Sequence, residues 1–387
     1  MPIPNTFASQ TGPIPLSELD ANFAYLINET EVTLPAQIAG LSLTNFGKNM
    51  VINGDCSISQ INGSTLTTPT TGAWPIDMVL CILTQASKLQ TQQVFTSLNS
   101  LGATSALQWS VLSSYSPIST DRFSLSFTIE GYNFARCQFG TANAKPVSLQ
   151  FKVNASVGGT YSGAINNYAG TRSYPFQFTV SAGVDTLIQI PNIAGDTGGS
   201  WFGATNAGAA LVSFDIGCGT NFKSTAGTWQ TGGYFGVTGS TNLVAQTNGS
   251  TLTITDVQLE QSANCTGFDR KYWSKNLEEC QRYYSKTFTY ATAPAQNTGN
   301  DTGAMVGVGS VTNVLFVATW KYPTTMRALP TILTYSPNAA SANWSTNGTT
   351  PTAAPAQVGD SSASYYGTTA VTVGNGYFLH ATADARI

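Results

Sequence analysis

One histidine, His380, limits the acid–base chemistry open to this chain of 387 residues, because any Ser–His–Asp or Cys–His arrangement has to use it. It lies in an apolar stretch that reads as a strand, where a structural role is expected. Hydrolysis of a glycan would instead need two carboxylates about 5 to 9.5 Å apart, and Asp121, Glu130, Asp185, Asp196, Asp215 and Asp256 are the candidates. Six cysteines, Cys56, Cys81, Cys137, Cys218, Cys265 and Cys280, show no C-x-x-C pair, which argues against common zinc and redox spacings and for buried free thiols. Gly195-Asp196-Thr197-Gly198-Gly199 lacks the Gly-Lys-Ser/Thr ending of a phosphate loop, and Asp196 reads as a turn-former before it reads as a cation ligand. Asn-x-Ser/Thr triplets at Asn62, Asn154, Asn248, Asn343 and Asn347 are expected by chance in so polar a chain. No catalytic residue, metal site or cofactor is assigned.

Charged residues make up 9% of the chain, against roughly 25% in ordinary soluble domains, while the hydrophobic fraction is 42%. Ser, Thr, Asn and Gln therefore carry the solubility, a habit of extracellular β-rich and fibrous proteins. A net charge of −3 supplies no basic face, so nucleic acid and anionic membranes are not expected partners. The first residues carry no basic and apolar leader, and no apolar run approaches the ~18 residues of a membrane span.

The elements that position these groups are mainly strands. Phe123–Ile129, Val147–Val153 and Leu252–Leu259 alternate apolar and polar residues, and Gly158-Gly159, Gly195–Gly199 and Gly232-Gly233 mark turns between strands. This pattern predicts an antiparallel, jelly-roll-like β-sandwich over residues 46–272. Before it, residues 1–45 hold one short helical pattern in which Leu19, Phe23, Leu26 and Ile27 share a face and Ser17 with Asp20 resembles a cap. Such a helix is too short to stand alone, so it either docks on a larger assembly or packs on its own domain. Residues 273–286 predict a linking helix, with Asn276 and Glu279 at capping-box spacing and Leu277, Cys280 and Tyr284 on one face. Residues 287–387 predict a smaller C-terminal β-domain, with strands at 304–308, 313–320 and 376–381. Its stretch 337–364, poor in large side chains, reads as long exposed loops.

Four stretches resemble the tail-fibre and receptor-binding proteins of tailed bacteriophages. They are Pro4–Gly12 with Leu19–Phe23; Asn49-Met50-Val51-Ile52-Asn53-Gly54-Asp55; Val257–Glu260 through Thr266–Arg270 to Glu279–Tyr284; and Tyr322–Thr331 with Thr382–Ala385. The sequence departs from that pattern at Trp74–Leu80, where a basic and an aromatic residue would be expected after Asp77. The resemblance implies a fibrous homotrimer in the virion tail, made in the host cytoplasm and extracellular after lysis. It also implies docking to tail or adaptor proteins through Leu19, Phe23, Leu26 and Ile27, a carbohydrate-binding-module-like sandwich, and adhesion to a bacterial surface glycan or protein without catalysis. A structural adaptor of the tail that binds no receptor is the alternative, and a glycan-degrading tailspike a third reading, for which no short β-helix period is found.

Sugars are held by aromatic faces beside a few convergent polar groups. Trp344, Tyr365 and Tyr366 in the distal domain and Trp201 and Trp229 in Gly-rich parts of the sandwich are therefore the candidate receptor-binding residues, although capping the core or a subunit interface is the commoner role of such rings.

Overall fold

In the computed structural model, residues 12–28, 47–95, 98–315, 318–346 and 350–387 are described. The chain divides into two compact units, residues 1–48 and 49–387. In the first, a helix spans Leu16–Ile27. Pro15, at φ −62° and ψ 134°, occupies the N-cap with its φ fixed by the ring, and no side chain caps the helix, so the pairing of Ser17 with Asp20 is not its start signal. Leu19 is half-buried, and Phe23, Leu26 and Ile27 are exposed.

In the second unit, two antiparallel sheets pack face to face. One runs in the order β1 (Val79–Leu83), β4 (Phe123–Glu130), β9 (Gly208–Asp215), β6 (Gly159–Asn167), β7 (Arg172–Val180), β11 (Gln230–Thr231). The other runs β2 (Leu89–Val94), β3 (Ala106–Val111), β13 (Thr251–Glu260), β5 (Val147–Ala155), β8 (Thr186–Ile193). A two-residue parallel pair, β10 (Lys223–Ser224) with β12 (Gly236–Val237), lies beside them. Alternation places Phe123, Leu125, Phe127 and Ile129 of β4 inward, and Phe151, Phe176, Phe178 and Phe214 meet between the sheets at centroid distances of 4.9 to 6.4 Å, mostly edge to face.

The polar residues of these strands do not face water as alternation predicts. All eight residues of β4 are buried, as are nine of the ten in β13, because further segments of chain cover the outer faces. The segment 49–60 is one such cover. At β13 the ladder to β5 breaks between Thr255 and Gln258, with Asp256 at φ +51°, and the bulge turns the Val257 peptide out of the sheet. The Val257 N–H donates to the Gly54 carbonyl at 2.8 Å, and the Asn49 amide donates to the Val257 carbonyl at 3.0 Å. A Cβ on Gly54 would stand 2.1 Å from that carbonyl oxygen, so only glycine permits the approach. Asn53, at φ +57°, donates its amide to the Ile58 and Asp77 carbonyls at 2.9 and 2.7 Å and accepts from the Ile58 N–H at 2.9 Å. Asp77, buried in Trp74–Leu80, takes two hydrogen bonds from Gln60, and burial raises its pKa despite them. Met78 beside it adopts φ +65°.

A helix spans Trp273–Gln281 with Tyr272 at its N-cap, so the expected capping box of Asn276 and Glu279 is not formed. Asn276 lies within the helix, and its amide reaches the Asp55 carboxylate at 2.9 Å and the Ser57 hydroxyl at 3.1 Å. Cys280 and Leu277 pack with Tyr283, Ile52, Ile58, Met78 and Ile387, whereas Tyr284 already belongs to a strand. Arg282 pairs with Glu130 at 2.7 Å, and the Tyr283 hydroxyl donates to the same carboxylate.

The last sheet runs β14 (Tyr284–Lys286), β21 (Gly376–Asp384), β15 (Met305–Val311), β16 (Val314–Leu315), β20 (Ser362–Thr368), β17 (Ala318–Lys321). β18 (Thr331–Tyr335) also pairs with β21, and β19 (Thr352–Ala356) with β20. The stretch expected as exposed loops thus contributes β19 and the start of β20. Small, polar residues pair well here because one face of β20 is covered: Trp344, Tyr365, Tyr377, Leu379 and Met326 form a second core.

Replacing Asn53 by Ala removes three buried hydrogen bonds and the side chain best suited to its backbone. Stability in urea should fall by about 2–4 kcal/mol. A loss below about 0.5 kcal/mol would show that the 49–60 segment does not hold the sandwich.

Candidate functional site

Where β4 ends, Gly131–Phe134 makes one helical turn and Ala135–Cys137 a tighter one, before Gln138 reverses the chain at φ +54°. This brings Phe134 and Phe139 to a centroid distance of 5.0 Å, edge to face. A second loop leaves β8 and returns to β9 across residues 194–207. The two loops are joined by Gly140 N–H to the Asp196 carbonyl at 2.7 Å, Gly131 N–H to Ala207 and Tyr132 N–H to Thr205, both at 2.8 Å.

Asp196 does more than form a turn. Its carboxylate receives the Arg172 guanidinium in two bonds of 2.8 and 2.6 Å, the Gly198 N–H at 3.2 Å and the Trp201 indole N–H at 3.2 Å. The hydrogen bond to Asp196 raises the Arg172 pKa, and the planar fork fixes the loop geometrically. Gly199, at φ +73°, packs directly on the Arg172 side chain, where a Cβ would come within 2.3 Å of Cγ.

On this base five rings assemble. Trp201 stacks on Phe134 at 5.3 Å and meets Phe139 and Trp229 edge-on at 4.9 and 5.5 Å, while Tyr174 tilts against Trp229 at 5.3 Å. The Trp229 indole N–H donates to the Ala194 carbonyl at 2.6 Å. Phe134, Phe139 and Trp201 border an open cleft of about 500 Å³ whose rim carries Gln138, Thr141, Asn143 and the 42% exposed Phe202. Phe134 and Phe139 are buried, so the partly exposed Trp201 and the exposed Phe202 are the rings open to a ligand; they lie next to amide and hydroxyl groups, with no charged side chain among the described lining residues.

Of the residues singled out from sequence, Trp201 and Trp229 meet here, with Trp201 lining the cleft and Trp229 behind it. Phe134, Phe139, Phe202, Gln138, Thr141 and Asn143 were not anticipated, and the available signal was the pair of phenylalanines flanking a polar reversal directly after a strand. Trp344 and Tyr365 are corrected: both are fully buried in the distal core, and the Trp344 indole donates to the Tyr366 carbonyl at 3.0 Å, so neither offers a face to solvent. Tyr366, next along β20, points the other way and is half-buried.

Each of the six candidate carboxylates is engaged by donors of its own. Asp121 takes hydrogen bonds from Tyr115, Thr84 and the Ile118 N–H; burial opposes but does not outweigh these, and its pKa is lowered. Glu130 pairs with Arg282, Asp196 with Arg172, Asp215 with Lys223, and Asp256 with both Lys152 and Arg270. Asp185 accepts from Asn154 at 2.7 Å and from Ser100. The cysteines are unpaired, five of them buried, and burial pushes the thiols of Cys81 and Cys137 up to about 12.

No family model matches the chain, and no curated protein matches it. Among solved structures, it is similar to the enzymatically active domain of tailspike protein 4 of bacteriophage CBA120, at 14% identity over 55% of this chain and 21% of that one, with a TM-score of 0.28. A putative sugar-binding protein from Bacteroides thetaiotaomicron matches at 12% identity over 55% of this chain and its own full length, TM-score 0.30. A family 11 carbohydrate-binding module of a cellulosomal cellulase from Clostridium thermocellum matches at 8% identity over 53% of this chain and all of its own, TM-score 0.26. The match spans about a fifth of the length of that tailspike domain.

His380 is buried between Thr287, whose hydroxyl lies 2.9 Å from Nδ1, and the Asn300 carbonyl 3.1 Å from Nε2, and it stacks on Phe288 at 4.0 Å. Burial lowers its pKa, the bond to Asn300 acting against it. Between that lowered value and about 6.5 the unfolded chain binds more protons, so this contribution to stability is complete above about pH 6.5 and is lost as pH falls below it. The difference in Tm between the native protein and His380→Asn should therefore narrow from pH 7.5 to 5.5; a constant difference would remove His380 as the group responsible.

Proposed function

We propose that this chain is an adhesion protein of a bacteriophage tail fibre that binds a bacterial surface glycan through the Trp201 cleft and catalyses no reaction. The observation that carries the reading is the cleft itself. Trp201 is held by the Arg172–Asp196 pair and backed by Phe134, Phe139 and Trp229, Phe202 stands exposed at the rim, and neutral amide and hydroxyl groups stand at the mouth, which is the chemistry a sugar's apolar faces and hydroxyls require. Support for a binding role without turnover comes from the carboxylates. Asp196, beside the cleft, is saturated by a guanidinium and two N–H groups, leaving it poorly placed to exchange a proton with a ligand. Within this reading the sandwich is a carbohydrate-binding-module-like jelly roll, and the Leu16–Ile27 helix is the docking element toward the tail.

Purified protein should bind host bacteria and release no reducing sugar from their extracted polysaccharide. Phe202→Ser with Gln138→Ala, both at exposed positions, should weaken binding about tenfold with an unchanged melting transition. Undiminished binding would move the receptor site elsewhere. Release of sugar would make the protein a glycan-cleaving enzyme.

Homotrimeric assembly belongs to the same proposal. Val306, Val308 and Val311 along β15 are each about half exposed, an apolar row of the kind that copies of a fibre protein bury. Sedimentation at micromolar concentration should give a trimer, and a monodisperse monomer would refute it.

A further inference from the structure

A second cleft of about 390 Å³ opens where exposed rings gather. Phe95, just beyond β2, Trp273, the first residue of its helix, and Tyr290 are 54%, 49% and 39% exposed, an unusual degree for three large rings lining one hollow. Trp273 and Tyr290 meet at 5.2 Å with their planes at 70°, so they form two walls of a corner. The corner is anchored, since the Tyr290 hydroxyl accepts the Ser59 N–H at 2.8 Å. Its floor is equally fixed: Gln93 donates to the Cys56 carbonyl at 2.7 Å, and the Ser105 hydroxyl to the Asp55 carbonyl at 2.7 Å. Gly63, at φ +53°, lies so close to Ala291 that a Cβ would come within 2.8 Å of the alanine methyl, which keeps this wall in place. Exposed Ser64 and Thr104 add hydroxyls at the rim.

We infer that this corner is a second saccharide site, taking a neutral disaccharide unit whose apolar faces lie on Trp273 and Tyr290. The volume falls in the roughly 300–1,000 Å³ range of small-ligand sites. No described lining residue is charged, which selects a neutral polar ligand over an acidic sugar or a charged peptide. The cleft draws its walls from the sandwich, the linking helix and the chain entering the distal sheet, and such junctions are favoured ligand sites. The inference rests on the sugar-binding reading above for its class of ligand, but on none of the residues of the Trp201 cleft.

Saturation-transfer NMR on the full chain with maltose, lactose and N,N′-diacetylchitobiose at low-millimolar concentration tests it. In the Phe202→Ser/Gln138→Ala background, transfer to at least one disaccharide should persist, and adding Trp273→Ala with Phe95→Ser should reduce it about tenfold. Ser64→Trp, which fills the cleft from its rim and removes no ring, should have the same effect, so that loss of folding in the first variant cannot pass for loss of the site. Transfer that survives both changes, or that already vanishes in the Phe202→Ser/Gln138→Ala protein, overturns the second site. Transfer abolished by Trp273→Ala alone and untouched by Phe202→Ser/Gln138→Ala would keep this site and overturn the first.

Discussion

The bulge at Asp256 is the constraint on which the larger unit depends. In a regular strand the Val257 peptide would be spent on the β5 ladder. Here it is turned outward and takes up the 49–54 segment from both its N–H and its C=O, at a point where only a glycine backbone fits. Once that segment is seated, Asn53 and Asp77 fix the chain beneath it, Asp55 fixes the linking helix through Asn276, and Gln60 reaches the Tyr284 carbonyl at the start of the distal sheet. Sequence positions more than 200 apart are thus joined through backbone groups whose alternative, in a buried place, would be an unsatisfied donor or acceptor. Lys152 and Arg270, at 2.6 and 2.7 Å from Asp256, neutralise the carboxylate that the bulge carries inward.

This explains how a chain with so few charges holds together. Among the described residues most ion pairs have a nearly buried carboxylate, and two of them, Lys152 with Asp256 and Arg282 with Glu130, join segments more than a hundred residues apart. Removing one partner from such a pair leaves a charge without water or counter-ion, so each is costly to break even where its net contribution is small. Four of the six candidate carboxylates, Glu130, Asp196, Asp215 and Asp256, are held in such pairs.

Legibility in the sequence followed the same division. Period-two alternation marked β4, β5 and β13 within a few residues, since inward faces must be apolar. It could not show that Ser126, Thr128 and Glu130 on the outer face would be covered too, because the cover comes from residues distant in sequence. Both helices were visible from their apolar faces, yet their caps were misread. Pro15 and Tyr272 supply extended backbone where Ser17 and Asn276 offered a plausible side chain, and Asn276 found a stronger partner in Asp55. Trp344 looked exposed because small polar residues surround it, but β20 needed one large side chain against Tyr377 and Leu379, and local composition carries no record of that. The Trp201 cleft was half visible for a related reason. Its tryptophans stand out in Gly-rich sequence, while Phe134 and Phe139 look like ordinary strand-end residues until the αL turn at Gln138 folds them together.

A neutral surface has a further consequence for adhesion as proposed here. With 9% charged residues the approach to a cell envelope gains little from long-range attraction, so the encounter is governed by short-range stacking and hydrogen bonding. Single sites of this kind bind weakly, since a sugar exchanges one set of hydrogen bonds with water for another. Strength then has to come from number. Two clefts per chain and three chains per fibre would present six contacts to a repeating polysaccharide, and each one made raises the local concentration for the next without any new interaction. Rigid clefts suit that arrangement better than mobile loops, because every site that is already formed binds without first being ordered. The Arg172–Asp196 clamp under one cleft and the Tyr290–Ser59 bond under the other provide that rigidity.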